Sequence, residues 1–340
     1  MKKILVMILT LVLAINLVAC TGNNEEKTSN ESLNGSANEL AYANNNNQGQ
    51  TNKENNNKEE ITLVSLEEAL ERLGLEEQPK TLATASLSAS RLAYKLGLPL
   101  VAIPDTIAKE IAELSTLPTL GTAHTPNYEQ IVAVNADLVL FEYMFKDSIN
   151  DVITEQNIPA YFLNCNLYDN VIKEVEALGV AFGKEEETLE ILKDFNTRKE
   201  AALKLSEGKE QPKVMILFGT PQSYMLGSEI TFVGNLVEML GAENITTVMG
   251  LDASSTSNGF LPMSEESAVA ANPDYILCLG HGSEEMQKIF EDSFINNPIW
   301  AGTNAIKNNK IVYLDSKLFA TNGGIHAIES LEELAKTLYQ

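Results

Sequence analysis

The chain is poor in the residues that most active sites use. It has three histidines, three cysteines, one tryptophan and three arginines, the last of them Arg198. No CxxC pair occurs, which disfavours a cysteine zinc site. No CxxCH occurs, which excludes covalent c-type haem on pattern. A Gly-x-Ser-x-Gly elbow, a Walker A loop and a GxGxxG turn are all missing, so the commonest hydrolase and nucleotide readings lose their support. Basic side chains are scarce as well: 24 against 47 acidic ones, for a net charge of −23. Nucleic acid is therefore not an expected partner, since its phosphates need basic patches. The acidity suits solubility on an exported surface. With no arginine after residue 198, the second half has no guanidinium fork to clamp a multiply anionic ligand.

The chain opens with an export pattern. Lys2 and Lys3 precede an apolar run, Ile4 to Val18, broken only by Thr10 and Asn16. That run is short for a membrane span. Leu17-Val18-Ala19-Cys20 then reads as a lipobox. Residues 1–19 are expected to be a lipoprotein signal peptide, with a plain signal peptide or short anchor as the alternative. Cys20 is the expected lipidation site, and two acyl chains would hold the protein stably on the extracytoplasmic face of the cell membrane. Residues 20–60 carry the runs Asn44–Asn47 and Asn55–Asn57 and no apolar face, as a disordered tether would. Cys165 and Cys278 lie in or beside apolar segments. Two buried free thiols are expected there rather than a disulfide.

From Ile61 onward strands and helices alternate, which implies parallel sheets. Ser65 followed by Glu68 reads as a capping box at the first helix. One unit occurs twice. Glu129, Asn135 and Asp137 have the spacing of Glu266, Asn272 and Asp274, each set spanning a helix, an Asn-x-Asp stop and an apolar strand. Two similar lobes follow from that repeat. Between them, Asn170 to Leu205 is helical throughout apart from a break near Gly183. The expected fold is α/β: two Rossmann-like lobes with parallel-rich sheets, a long helical spine joining them, and a ligand cleft between. The expected boundaries are 61–168 for the N-terminal lobe, 169–208 for the spine and 209–340 for the C-terminal lobe.

Ligands in open α/β sheets bind outside the carboxyl ends of the strands. His124 stands at a helix entrance and His281 directly after a strand. Both point to such an edge, one in each lobe, and two facing imidazoles could hold a planar metal macrocycle from both sides. Haem, bound non-covalently, is the common case. A lone loop histidine is more often a surface residue, and structural zinc or manganese on three histidines is a further alternative, although their spacing is not that of a compact cluster. His326 is expected at a helix end or pocket rim. Thr84, Ser86 and Ser88 lead from a strand into a helix. They would offer free N–H groups and hydroxyls to carboxylates such as haem propionates, or be an ordinary serine cap. Tyr224, Met225, Phe260 and Met263 suit an apolar pocket wall or core packing equally. Glu129 and Glu266, if catalytic, would form a carboxylate pair, but mid-helix positions argue for exposure.

Several stretches resemble a known family. PNYEQIVAVNADLVL and MSEESAVAANPDYIL are similar to the helix–strand units of the two lobes in the substrate-binding lipoproteins of iron and corrin import systems. VMILFGTPQSYMLGSE, HGSEEM and AIKNNKIVYL resemble its haem-binding members. The resemblance covers Leu63 to Gln340. It implies a carrier without catalysis, a monomer that delivers its cargo to an ABC permease and ATPase. It implies haem b as cargo, received from cell-surface haem-relay proteins. The family's lobe-tip glutamates, which dock on the permease, fall on Glu129 and Glu266. Its axial histidine falls on His281. Its opposite axial methionine falls on His124, a departure that implies bis-histidine ligation. A siderophore or corrinoid carrier of the same fold is the alternative.

Overall fold

The computed structural model describes residues 61–340 apart from 221–222, 255, 257, 280–287 and 320–321. The expected signal peptide, Cys20, the tether and His281 lie outside the described residues. The first sheet contains β1 (Leu82–Thr84), β2 (Leu100–Ala102), β3 (Leu138–Glu142) and β4 (Ala160–Leu163). All four run parallel in the order β2-β1-β3-β4. Around them lie α1 (Leu66–Leu73), α2 (Leu87–Lys95), α3 (Asp105–Glu110), α4 (Tyr128–Val134) and α5 (Lys146–Glu155). Two long helices follow, α6 (Tyr168–Ala181) and α7 (Glu185–Lys204).

The second sheet contains β5 (Lys213–Thr220), β6 (Ser223–Gly227), β7 (Glu243–Asn244), β8 (Phe260–Pro262), β9 (Tyr275–Leu279) and β10 (Ile311–Tyr313). Its order is β10-β9-β5-β6-β8, with β7 beside β5. β10, β9, β5 and β7 are parallel, whereas β6 and β8 are antiparallel additions at one edge. Its helices are α8 (Phe232–Met239), α9 (Ile245–Val248), α10 (Glu265–Ala271), α11 (Asn304–Lys307) and α12 (Ala327–Tyr339). Two parallel-rich sheets with a helical pair between them are the α/β architecture expected from the alternation of elements.

Strand alternation distributes the core. Leu138 and Leu140 of β3, Val214 and Ile216 of β5, and Tyr275, Leu277 and Leu279 of β9 all enter one cluster. That cluster also takes Val175 and Leu178 of α6, Ile191 and Leu192 of α7, and Leu331 and Leu334 of α12. It is therefore continuous from the first sheet, through the helical pair, to the second. The intervening residues face outward into separate clusters: Val139 and Phe141 in one, Met215, Leu217, Ile276 and Cys278 in the other. Cys165 belongs to the shared core and Cys278 to the outer cluster of the second sheet. Both are buried free thiols.

The repeated unit closes in the same way twice. Asn135 and Asn272 cap α4 and α10 in the left-handed conformation, at φ 49° and 52°, which asparagine tolerates better than most residues. Asp137 Oδ2 then accepts from the Lys80 and Thr81 N–H groups, at 2.8 and 2.9 Å. Asp274 Oδ2 accepts from the Lys213 N–H at 2.9 Å. Each aspartate thus ties the entry of its strand to the start of a neighbour. Glu129 and Glu266 sit in the first turns of these short helices, not in the middle, and both are exposed. The capping box at α1 is half formed. Ser65 Oγ accepts from the Glu68 N–H, while the Glu68 carboxylate goes to Arg72 at 2.7 Å.

The close approach of α6 to α7 depends on Gly179. A Cβ at that position would lie 1.7 Å from Thr188 Oγ1, and Thr188 is fully buried. Gly179→Ala should cost about 1–3 kcal/mol by overpacking. Combining it with Thr188→Ala should recover part of that loss. Urea denaturation of both single variants and the double variant measures the coupling, and strictly additive effects would show that the two positions do not compete for the same space.

Candidate functional site

The carboxyl ends of both strand sets open on one cavity of about 480 Å³. β3 reaches it with its last residue, Glu142, β9 with its last, Leu279, and β5 with Phe218. Leu87, Met144 and Phe145 contribute apolar wall from the first lobe, and Phe232, Phe260 and Phe319 from the second. Phe218 and Phe260 pack with ring centroids 4.8 Å apart. The volume and the aromatic lining suit a mid-sized, largely apolar ligand.

His124 lies on the cavity wall at the tip of a tight turn. Thr122 and Thr125 close that turn, with the Thr125 N–H donating to the Thr122 carbonyl at 3.1 Å and the two hydroxyls 2.8 Å apart. Gly121, at φ 82°, starts it, and a Cβ there would meet the Thr125 carbonyl oxygen at 2.6 Å. The imidazole rests edge-on against Phe145, centroids 4.9 Å apart at 71°. It remains exposed to the cavity side. The expected partner on the other lobe, His281, follows two residues after the cavity-lining Leu279 and lies outside the described residues. No group of three or more His, Cys, Asp or Glu side chains arranged to hold a metal ion occurs among the described residues.

At the base of the cavity sits a buried carboxylate that sequence reasoning did not single out. Glu142 Oε1 accepts from Ser86 Oγ at 2.5 Å and from Ser88 Oγ at 2.8 Å. Its Oε2 accepts from Asn322 Nδ2 at 2.7 Å, across from the second lobe. Burial pushes the carboxyl above its ordinary range, opposed by the hydrogen bonds from Ser86 and Ser88 and by the charge of Arg91. The signal for it was present: a lone charge ending an apolar strand at its carboxyl end, where ligands are met.

The other expected site residues separate into two sets. Ser88, Phe260 and His326 line the cavity. His326 caps α12, with its Nδ1 3.9 Å from Glu329 Oε2. Thr84 and Ser86 are fully buried and internally satisfied. The Thr84 and Ser90 hydroxyls lie 2.6 Å apart, while Ser86 Oγ accepts from the Ala89 N–H as the cap of α2. The serine loop expected to receive a ligand's carboxylate thus already holds Glu142. Tyr224 and Met263 pack into the outer cluster of the second sheet, with the Tyr224 hydroxyl 2.7 Å from Ser293 Oγ and its ring against Phe290 and Phe294. Met225 lies on β6 opposite Phe218 and is not part of the cavity lining. Arg91, Lys317 and Asn322 line the cavity without having been expected there.

A model of the periplasmic binding protein family matches residues 82–318, and the chain belongs to that family of ligand carriers rather than to an enzyme family. High-affinity heme uptake system protein IsdE of Staphylococcus aureus (strain MRSA252) is 28% identical over 248 residues, 72% of this chain and 82% of that protein. Among solved structures, an ABC transporter substrate-binding protein from Listeria monocytogenes EGD-e is similar with a TM-score of 0.69 and 29% identity, over 77% of this chain and 99% of that one. S. aureus IsdE complexed with heme is similar with a TM-score of 0.67 and 26% identity, over 76% and 99%.

The raised Glu142 carboxyl has a definite sign in stability. The folded state keeps its proton to a higher pH than the unfolded chain, whose glutamates titrate at about 4.3. Stability is therefore lost as pH rises from the unfolded value through the folded one. Glu142→Gln does not titrate, so its melting temperature relative to wild type should rise as pH increases above about 4.3, the unfolded value. Thermal denaturation as a function of pH is the check, and a difference independent of pH would mean that folding leaves the carboxyl's hold on its proton unchanged.

Proposed function

We propose that the chain is a membrane-anchored, haem-binding substrate-binding protein of an ABC importer, built as an N-terminal lobe (61–168), a helical spine (169–208) and a C-terminal lobe (209–340). The observation that carries this reading is the interlobe cavity, with aromatic walls from both lobes, His124 at one edge and β9 leading toward His281 from the other. The similarity to a relative named as a heme uptake protein supports the choice of cargo.

In this reading haem enters edge-on between the lobes. The imidazoles of His124 and His281 would hold the iron, one from each lobe. Phe145, packed against His124, restricts the imidazole's rotation, so less freedom is lost on ligation. The phenyl groups displace water from the porphyrin faces. Two nitrogen ligands give low-spin iron with a lower potential than a methionine–histidine pair. Nothing is transformed; the protein holds and hands over. Glu129 and Glu266, exposed at equivalent points of the two repeats, would meet basic groups of the permease. Cys20, lipidated after removal of residues 1–19, would keep the carrier at the membrane, and residues 20–60 would give it reach.

Hemin added to the protein should produce the sharp absorption of six-coordinate low-spin haem. His124→Ala and His281→Ala should each convert that spectrum and weaken binding by at least about tenfold. Spectra unchanged in both variants would remove the axial assignment. Hemin displaced by a ferric siderophore or a corrinoid at equal concentration would instead name a different cargo for the same cavity.

A further inference from the structure

A tetrapyrrole with ring-edge carboxylates needs cations as well as walls, and the serine loop expected to receive those carboxylates already holds Glu142. Three other side chains remain. Arg91 comes from α2 in the first lobe, Lys317 and His326 from the segment between β10 and α12 in the second, and all three line the cavity. One carboxylate feels the charge of all three, Glu110 at the end of α3. It is held below its ordinary range by the hydrogen bonds from Arg91, against the effect of burial, and then by the charges of Arg91, His326 and Lys317. Arg91 grips it with both arms of its fork, Nε to Oε1 at 2.8 Å and Nη2 to Oε2 at 2.7 Å.

Glu110 itself is not part of the cavity lining. Its side chain is 42% exposed, twice as much as that of Arg91 at 21%. A carboxylate of the chain therefore already occupies the bidentate geometry that a carboxylate ligand would need, and it does so from the solvent side. Lys317 has its backbone N–H tied to Asp315 Oδ1 at 2.9 Å; its ammonium forms no ion pair among the described residues. The Nδ1 of His326 is too far from Glu329, at 3.9 Å, for a hydrogen bond.

We propose that Arg91, Lys317 and His326 form an anion-recognising rim for the carboxylates of a planar tetrapyrrole, and that Glu110 occupies Arg91 until one of those carboxylates replaces it. The inference rests on the haem reading above and names the group that the rim selects. Exchange of one carboxylate for another keeps the guanidinium paired, so a half-buried arginine is never left uncompensated. The fork is already ordered before the ligand arrives, which lowers the entropic cost of recognition. Because Glu110 competes for the same fork, it sets the affinity of the carrier as well as the orientation of its cargo. Rim residues from both lobes also mean that a bound dicarboxylate bridges the cleft.

The test compares hemin with hemin dimethyl ester, whose carboxylates are capped, in the full chain. Both are titrated by absorbance into wild type, Glu110→Gln, Arg91→Gln and the Arg91→Gln/Lys317→Gln pair. Wild type should prefer hemin over the ester by about tenfold or more, and the pair should reduce that preference to within about threefold by weakening hemin alone. The axial absorption signature should stay unchanged, because the rim does not touch the iron. Glu110→Gln, which leaves the cavity intact, should tighten hemin binding and leave the ester unaffected. A preference retained in the pair, or hemin affinity unmoved in Glu110→Gln, overturns the rim while the haem reading stands. A wild type that binds neither porphyrin overturns both.

Discussion

A single apolar core runs beneath both sheets and through α6 and α7, and the cavity exists because of it. Each sheet has one face committed to that shared core, so the strand ends of both lobes are fixed in facing positions. The helices between them cannot act as a loose tether. Gly179 lets α6 and α7 approach to side-chain contact distance, and Arg198 on α7 ties to Glu329 and Glu332 on α12. Relative motion of the lobes would have to shear this packing, a costlier route than bending an exposed hinge. The mouth of the cleft is accordingly preformed, and selectivity has to come from the chemistry of its lining.

That chemistry is of three kinds. The base holds one carboxyl satisfied by donors from both lobes, Ser86 and Ser88 from one and Asn322 from the other. A polar group so fully bonded makes little demand on a ligand and acts instead as a fastener between lobes. Around it the walls are aromatic, with Phe218, Phe232, Phe260 and Phe319 from the second lobe and Phe145 from the first. Arg91 and Lys317 bring the basic side chains, one from each lobe.

Much of the architecture was legible because two independent signals agreed. In the Asn135–Asp137 and Asn272–Asp274 units, a residue suited to the left-handed cap precedes an aspartate that bonds back to a neighbouring strand. The apolar strand after each reads as buried on both faces, as β3 and β9 are. The site was less legible, for reasons that differ by residue. Tyr224 and Met263 sit in or beside the antiparallel edge of the second sheet. The face each presents is set by strand pairing, of β6 with β5 for Tyr224 and of β8 with β6 just before Met263, which local sequence does not encode. Ser86 caps a helix, the plainer of the two readings, while the acceptor that Ser86 and Ser88 share, Glu142, lies more than fifty residues away. Arg91 reads as an ordinary exposed helix residue until α3 brings Glu110 against it. In each case the missing information was a tertiary partner, not a propensity.

The two thiols carry a consequence for experiment. Cys165 and Cys278 are buried; burial raises the first thiol well above its ordinary value and the second to about 12. Almost no thiolate is present at neutral pH, and thiolate is the species that reacts. Alkylating dyes and spin labels would pass both by. One cysteine placed on an exposed position of each lobe would then give the two reactive sulfurs among the described residues, ready to report a distance across the cleft without first removing the native pair.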